Sequence, residues 1–304
     1  MALYTNMTSD AELDDAVKNI YDDEFIIAAE DTLSKDLTSI ATIQRKIDGA
    51  TDVFTIYTAL TVQTSALTED DDTREAASDS SVTITPAEYG NAVTQTNLAD
   101  LKSGGRNSLA LVRLASKNMR ESMDKIMVTV GEAGSNETIV GQSAETSVTS
   151  SDIITADEVR KQKAIMETAG VSPPYYCVIH PHVFYDLKKE TGDEAFVKAL
   201  HYADPQAIIK GEYGMFDGFR FIIHPQVAIN TNAGDTNVDT YHTQFFGFNA
   251  FGYSESQTPG GNITGPFDVH GRFLNIGWYG VFSYGLVDTS AHRLLTSASS
   301  MGTN

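Results

Sequence analysis

Hydrophobic and polar positions alternate along this chain with two periods, and the changes of period divide it. Residues 1–45 place apolar residues such as Leu33, Leu37, Ile40 and Ile43 at helical spacing among many carboxylates, which predicts short helices or an extended arm. Phe54, Ile56, Leu60 and Val62 then occupy even positions of a threonine-rich run, and Val82-Thr83-Ile84-Thr85 alternates again before Pro86. Period two with β-branched residues is a strand pattern, and the polar stretch from Glu69 to Glu75 is the expected tip of a long hairpin between Thr51 and Val93. Two strands bury too little apolar surface to hold alone. The hairpin must therefore lie on its own domain or on a neighbouring copy, and a neighbouring copy is the expectation.

Over 103–130 the period becomes helical. Val112, Ala115, Met119, Met123, Ile126 and Val130 form one apolar stripe, and Arg113, Lys117, Arg120 and Asp124 step along another face. Gly104-Gly105 precedes this stretch and Gly131 follows it, so the predicted helix is about 40 Å long. Residues 132–153 read as irregular. Thr155 with Glu158 has the form of a capping box for a helix to Ala169, closed by Gly170. A strand from Tyr175 to Ile179, a turn at His180-Pro181, a helix to about Lys189 and a strand from Gly218 to Ile223 follow. Ile-His-Pro-x-Val occurs at Ile179 and again at Ile223, and reads as one strand-to-turn device used twice. Beyond Tyr241, short strands are expected at 244–251, 273–279 and 281–286. This mixture predicts the α+β class.

Charge separates the first third from the rest. Formal net charge is −20; residues 1–101 hold 20 acidic and 5 basic side chains, the remainder 21 and 16. Nucleic-acid binders usually carry the opposite sign, so tight DNA or RNA binding is not expected. No apolar run approaches the ~18 residues of a membrane helix. Met1 to Asp15 is polar and acidic and has no secretory-signal pattern, and the single Cys177 lies in an apolar run, as a buried thiol in a reducing compartment would.

Candidate chemistry is sparse. His180, His182, Asp186 and His201 invite a metal reading, but no third ligand stands at a strong spacing, and His-Pro-His also makes an ordinary turn into a helix. Asp70-Asp71-Asp72 lacks the alternation of a calcium loop. Gly104-Gly105-Arg106 before a helix is a weak anion signal without a preceding strand. The glycine–aromatic run from Gly277 to Gly285 reads as core strands with close backbone approach. Neither catalytic residue, metal nor cofactor is expected; a structural role is.

Three stretches together resemble one family. Gly211-Glu212-Tyr213-Gly214 with Gly218-Phe219-Arg220-Phe221, the Ile179-to-Leu187 stretch with its His-Pro start and Asp186-Leu187, and Phe246-Gly247-Phe248-Asn249-Ala250-Phe251-Gly252 are similar to segments of tailed-bacteriophage major capsid proteins of the N-four type. The resemblance implies the Hong Kong 97-type fold. It makes 1–45 the N-terminal arm and 46–96 the extended hairpin loop. It makes 97–153 with 240–285 the peripheral domain with its long spine helix, and 154–239 with 286–304 the axial domain. It also implies self-assembly through hexamers and pentamers into an icosahedral shell around double-stranded DNA, in a virion assembled in the bacterial cytoplasm, with a portal and possibly a decoration protein as partners.

Two departures qualify it. The fold's namesake cross-links through a lysine on the extended loop, and no lysine occurs here between Lys46 and Lys102, so covalent linkage from the hairpin is not expected. Only about fifty residues precede the hairpin, so a separate scaffolding protein is expected rather than a fused one. Residues 51–101 hold 9 acidic residues and one basic residue, while 102–130 hold 6 basic residues against Glu121 and Asp124. Asp70, Asp71, Asp72 and Arg74 on the hairpin, and Arg106, Arg113, Lys117 and Arg120 on the helix, are the candidate inter-subunit residues. Encapsulin-like shells around a cargo enzyme share the fold and are the first alternative; a metal-dependent enzyme is the second.

Overall fold

The computed structural model describes residues 42–46, 51–62, 64, 75–103, 106–190 and 215–302. Most of the expected arm, the tip residues Asp70, Asp71, Asp72 and Arg74, His201 and the Gly211–Gly214 motif lie outside the described residues. In chain order the elements are β1 (Thr42–Lys46), β2 (Asp52–Tyr57), β3 (Asp79–Ile84), β4 (Ala87–Thr96), α1 (Asn97–Ser103), α2 (Arg106–Glu132) and β5 (Glu137–Ile139). Then come α3 (Ala156–Thr168), β6 (Tyr175–Ile179), α4 (Pro181–Lys189), β7 (Met215–Phe216), β8 (Phe219–Ile223), β9 (Ile229–Asn230), β10 (Thr240–Phe246), β11 (Phe251–Phe267), β12 (Phe273–Leu286) and β13 (His292–Ser297). They fall into two compact units: 87–128 with 255–282, and 41–86 with 129–254 and 283–304.

The first unit sets most of α2 beside β4 and β12. Val112, Ala115, Met119 and Met123 of the expected stripe are buried, while Ile126 and Val130 are half-buried and Met127 and Val128, outside the expected stripe, are buried instead. The face grouped as Arg113, Lys117, Arg120 and Asp124 is not a uniform solvent face: Asp124 is buried and Arg120 half-buried. β12 and β4 pair antiparallel over ten positions, from Phe273 opposite Thr96 to Phe282 opposite Ala87. The short strands expected from 273 to 286 are one strand, and β11 runs unbroken for 17 residues. Glycine does not interrupt β12; it permits close approach. A Cβ at Gly277 would stand 2.3 Å from the Asn91 carbonyl oxygen and 2.6 Å from the Ala92 Cβ.

The second unit is built on a sheet in the order β5-β13-β10-β6-β8-β7, with β9 also pairing β10. β6 and β8 are parallel, and β10 is antiparallel to both β6 and β13. All residues of β6 and β10 are buried, which requires cover on both faces. Val159 and Met166 of α3 and Val183, Phe184 and Leu187 of α4 share a core with Cys177, Phe219, Tyr241, Phe245 and Leu295. Phe219 and Phe245 meet edge to face at 5.0 Å. Thr155 caps α3 by accepting from the Glu158 N–H at 3.4 Å, while the Glu158 carboxylate turns to Lys161 at 2.7 Å. The expected assignment of 240–285 to the domain of the long helix fails for β10. Its ladder partners are β6, β9 and β13, and non-local pairing leaves no trace in a local apolar pattern.

Because backbone rather than a flexible side chain opposes Gly277, the strand pair cannot relax around a side chain there. Gly277→Val is expected to destabilise by about 1–3 kcal/mol or more. A chemical-denaturation midpoint equal to that of the parent chain would contradict this account of β12.

Candidate interaction surfaces

β2 and β3 pair antiparallel from Asp52 opposite Ile84 to Tyr57 opposite Asp79. The alternation places Phe54 and Ile84 on one face, where both are buried with Val287, and Ile56 and Val82 pack around them. The floor is glycine. A Cβ at Gly285 would come within 2.8 Å of Ile84, and one at Gly252 within 3.0 Å of Phe54. Burying two such side chains contributes about 1.5–3 kcal/mol each. The base of the hairpin is therefore held by its own chain, which corrects the expectation that a neighbouring copy alone stabilises it.

Beyond the base, nothing apolar from the described residues covers the ribbon's outer part. The Thr58 N–H donates to the Ser78 carbonyl at 2.9 Å, and Thr61 donates through N–H and hydroxyl to the Glu75 carboxylate at 2.9 and 2.8 Å. These contacts carry the two chains side by side past the last ladder pair. Tyr57, Leu60 and Val62 are 77%, 60% and 81% exposed. Three large apolar groups within six residues are thus left to solvent, an unusual density for a free surface.

A second surface lies in the other unit. Trp278 Nε1–H donates to Asn118 Oδ1 at 2.8 Å, Asn91 Nδ2–H donates to the same oxygen at 3.3 Å, and Gln95 Nε2–H donates to Ser108 Oγ at 3.0 Å. These bonds fix α2 against β4 and β12. Ala92, Val93, Leu114, Lys117, Asn118 and Ile276 line an open groove of about 270 Å³ between them. Leu114 and Val93 are exposed. Of the basic candidates, Lys117 stands 3.7 Å from Glu121 in an exposed i,i+4 pair worth about 0.3–0.5 kcal/mol, and Arg113 is exposed. Arg106 opens α2, and its side chain lies outside the described residues.

The histidine and acidic candidates among the described residues, His180, His182 and Asp186, are engaged by other protein groups. His180 accepts from the His182 N–H at the start of α4, and His182 Nδ1 lies 3.0 Å from the Tyr241 hydroxyl. Asp186 is buried and committed to the C-terminal segment, accepting from the Ser299 hydroxyl and the Ser300 N–H, each at 2.8 Å, and from the Ser300 hydroxyl. Among the described residues no group of three His, Cys, Asp or Glu could hold a metal ion. Burial pushes the Cys177 thiol well above its ordinary range and leaves it inert.

Sequence reasoning missed a polar clip. One oxygen of Glu145 accepts from Asn230 Nδ2–H at 2.8 Å and Thr240 Oγ–H at 2.5 Å, and His242 Nε2 lies 3.1 Å away. Burial opposes the carboxylate's charge, but these donors outweigh it and lower the pKa. The four residues span 97 positions, so no spacing rule could have grouped them.

His292 is buried against Phe251, with ring centroids 5.6 Å apart, and among the described residues neither ring nitrogen has a hydrogen-bond partner. Burial, and then the neighbouring Arg293, lowers its pKa to about 4. The unfolded chain takes up this proton near pH 6.5 and the folded chain only near 4, so stability is full above ~6.5 and falls as pH drops toward 4. The loss from this group is at most about 3 kcal/mol. His292→Gln should flatten that part of the slope in urea denaturation at pH 7 and 4.5; an unchanged slope would assign the acid sensitivity elsewhere.

The sequence model of a family described as phage capsid protein matches residues 122–251. No curated protein matches the chain. Solved structures similar to it include the capsid of Ralstonia phage GP4, with TM-score 0.64 and 13% identity over 85% of this chain and 87% of that one. The cyanophage Pam1 capsid gives TM-score 0.62 and 15% identity over 82% and 86%. The virus-like particle from Pyrococcus furiosus gives TM-score 0.55 and 10% identity over 90% and 99%. The fold is therefore the Hong Kong 97 type expected from the sequence.

Proposed function

We propose that this chain, which has the fold of phage capsid subunits and carries a phage capsid family match, is a structural protein that builds an icosahedral shell through hexamers and pentamers and encloses double-stranded DNA. The observation that carries this reading is the hairpin. Its base is anchored at Phe54, Ile84 and Val287, while Tyr57, Leu60 and Val62 project exposed. A neighbouring copy supplies the missing cover. The groove beside Leu114 and Lys117 on the spine helix is the receiving surface, by its apolar lining and the basic side chains of the helix that borders it. In this reading 1–45 is the arm, the long helix belongs to the peripheral domain and the parallel pair β6/β8 to the axial domain.

The grip is non-covalent, since the hairpin has no lysine. Asp70, Asp71 and Asp72 pair with Arg113, Lys117 and Arg120 of the next copy; each exposed pair contributes only ~0–1 kcal/mol and is screened by salt. Repetition around a shell makes such pairs a bias on register and partner choice. With a net charge of −20 the wall repels packaged DNA and confines it without adhering. A separate scaffolding protein and a portal complete the assembly.

Negative-stain microscopy of the expressed chain with its scaffolding protein is expected to show closed icosahedral particles; their absence under all assembly conditions would sink the proposal. The second reading is a nanocompartment shell around a cargo enzyme, since the same shell fold occurs in a structure described as a virus-like particle. Particles formed in the native setting and filled with protein rather than DNA would favour it. Replacing Asp70, Asp71 and Asp72 together by lysine is expected to lower assembly yield and narrow salt tolerance without changing the subunit's denaturation midpoint. Equal yield across ionic strength would remove the charge pairing from the account.

A further inference from the structure

Between β9 and β10 the chain makes a polar loop with positive φ at Asn232, Thr236 and Asn237. The Gly234 N–H donates to the Val238 carbonyl at 2.9 Å, and the Asp235 N–H donates to the Val148 carbonyl at 2.8 Å, so the loop is tied to itself and to the connector ahead of α3. With Ser150 and the C-terminal segment at Ser299 it walls an open pocket of about 400 Å³, all of it within the larger unit. Asp239 lines this pocket and is only 6% exposed. Its Oδ1 accepts from the Asn232 N–H at 2.8 Å. Among the described residues no cationic side chain and no second donor reaches this carboxylate, so Oδ2 is left to the pocket. A buried charge is costly unless it is paired or coordinates a metal. Its field is felt nearby: burial first, then Asp239 and Asp186, raise the pKa of the Tyr241 phenol. Ser150, Asn232, Thr236 and Asn237 line the same pocket, and their hydroxyl and amide groups make no hydrogen bond to other described residues. The Ser299 hydroxyl, by contrast, is spent on Asp186 and on the Met301 N–H.

We propose that Asp239 and the neutral oxygens around it bind a hard divalent cation of the calcium class, which fastens the 232–239 loop to the connector at Ser150. The ligand type follows from the donors. One carboxylate, hydroxyls and amide carbonyls are hard oxygen ligands, and neither thiolate nor imidazole stands among them to select a transition metal. This set also differs from a cluster of three His, Cys, Asp or Glu, which the described residues lack. Calcium accepts carboxylate, carbonyl and water oxygens in flexible geometry, and the pocket has room for the ion with several of its waters. Magnesium demands a compact octahedron and gives up water reluctantly, so it is the poorer fit. A single charged ligand places the affinity at the weak end, with a dissociation constant of about 1 mM.

Hydrogen exchange of the intact chain, in calcium chloride against sodium chloride of equal ionic strength, tests the site. At about 10 mM calcium, protection in peptides covering 148–152 and 231–240 is expected to rise roughly tenfold, while peptides of α2 stay unchanged. Asp239→Asn keeps an acceptor for the Asn232 N–H but carries no charge, so its protection should not respond to calcium. No rise in the parent chain overturns the proposal. So does an equal rise in Asp239→Asn, or a rise of the same size in the α2 peptides, which would mean binding to the acidic surface only. An equal rise with methylammonium chloride would overturn the divalent assignment and make the pocket a seat for a primary ammonium group. Should Asp239→Asn lose protection already without calcium, Ser150→Ala is read instead, since that hydroxyl holds nothing else among the described residues. A rise smaller than the parent's then supports the site, and a full rise overturns it.

Discussion

The burial of β10 on both faces is the constraint on which the larger unit depends. Every residue from Thr240 to Phe246 is buried, although three of the seven are polar and one is histidine. A strand in that position must find partners for each polar group, and the structure supplies several of them from distant segments. Glu145 takes Thr240 and sits beside His242, and Tyr241 reaches His182. Gln244 fills the space left open by Gly131, where a Cβ would fall 2.1 Å from its side-chain oxygen. Placing these groups ties β6, β9 and β13 and the connector around Glu145 to β10, although the Thr243 hydroxyl finds no partner among the described residues.

A different balance governs the hairpin. Its inner face uses the ordinary means of a core, two large side chains over a glycine floor. Its outer part does the opposite, presenting Tyr57, Leu60 and Val62 to water. In the proposed shell, a ribbon anchored at one end and apolar at the other is held by its own chain at the base and completed by a neighbouring copy at the tip, and charge around an exposed edge is the usual guard against unwanted pairing.

Proton chemistry follows from the same burial. His292 has no hydrogen-bond partner among the described residues, and His180 is buried and accepts through Nδ1, so both rings favour the neutral form. Glu145 is biased the other way, toward its charged form. Neutral pH suits both sets at once, and acid acts against both.

Local pattern was enough to specify the elements and their kind. Alternation at Phe54, Ile56, Val82 and Ile84 marked the hairpin strands; the Val112-to-Met123 stripe marked the long helix; Thr155 marked a cap; the repeated Ile-His-Pro marked two equal turns. Short motifs added the fold family. All of these signals are carried by residues a few positions apart. Packing in three dimensions decided the rest: that β10 belongs with β6 rather than with the long helix, that β11 and β12 are continuous, and that Val287 anchors the hairpin. It also decided that Asp186 holds the C-terminal segment at Ser299 and Ser300, and that the two Ile-His-Pro turns begin at the same end of the β6/β8 pair. Each of these is a pairing across tens to hundreds of residues, set by which faces can be buried together, and no period along the chain encodes it.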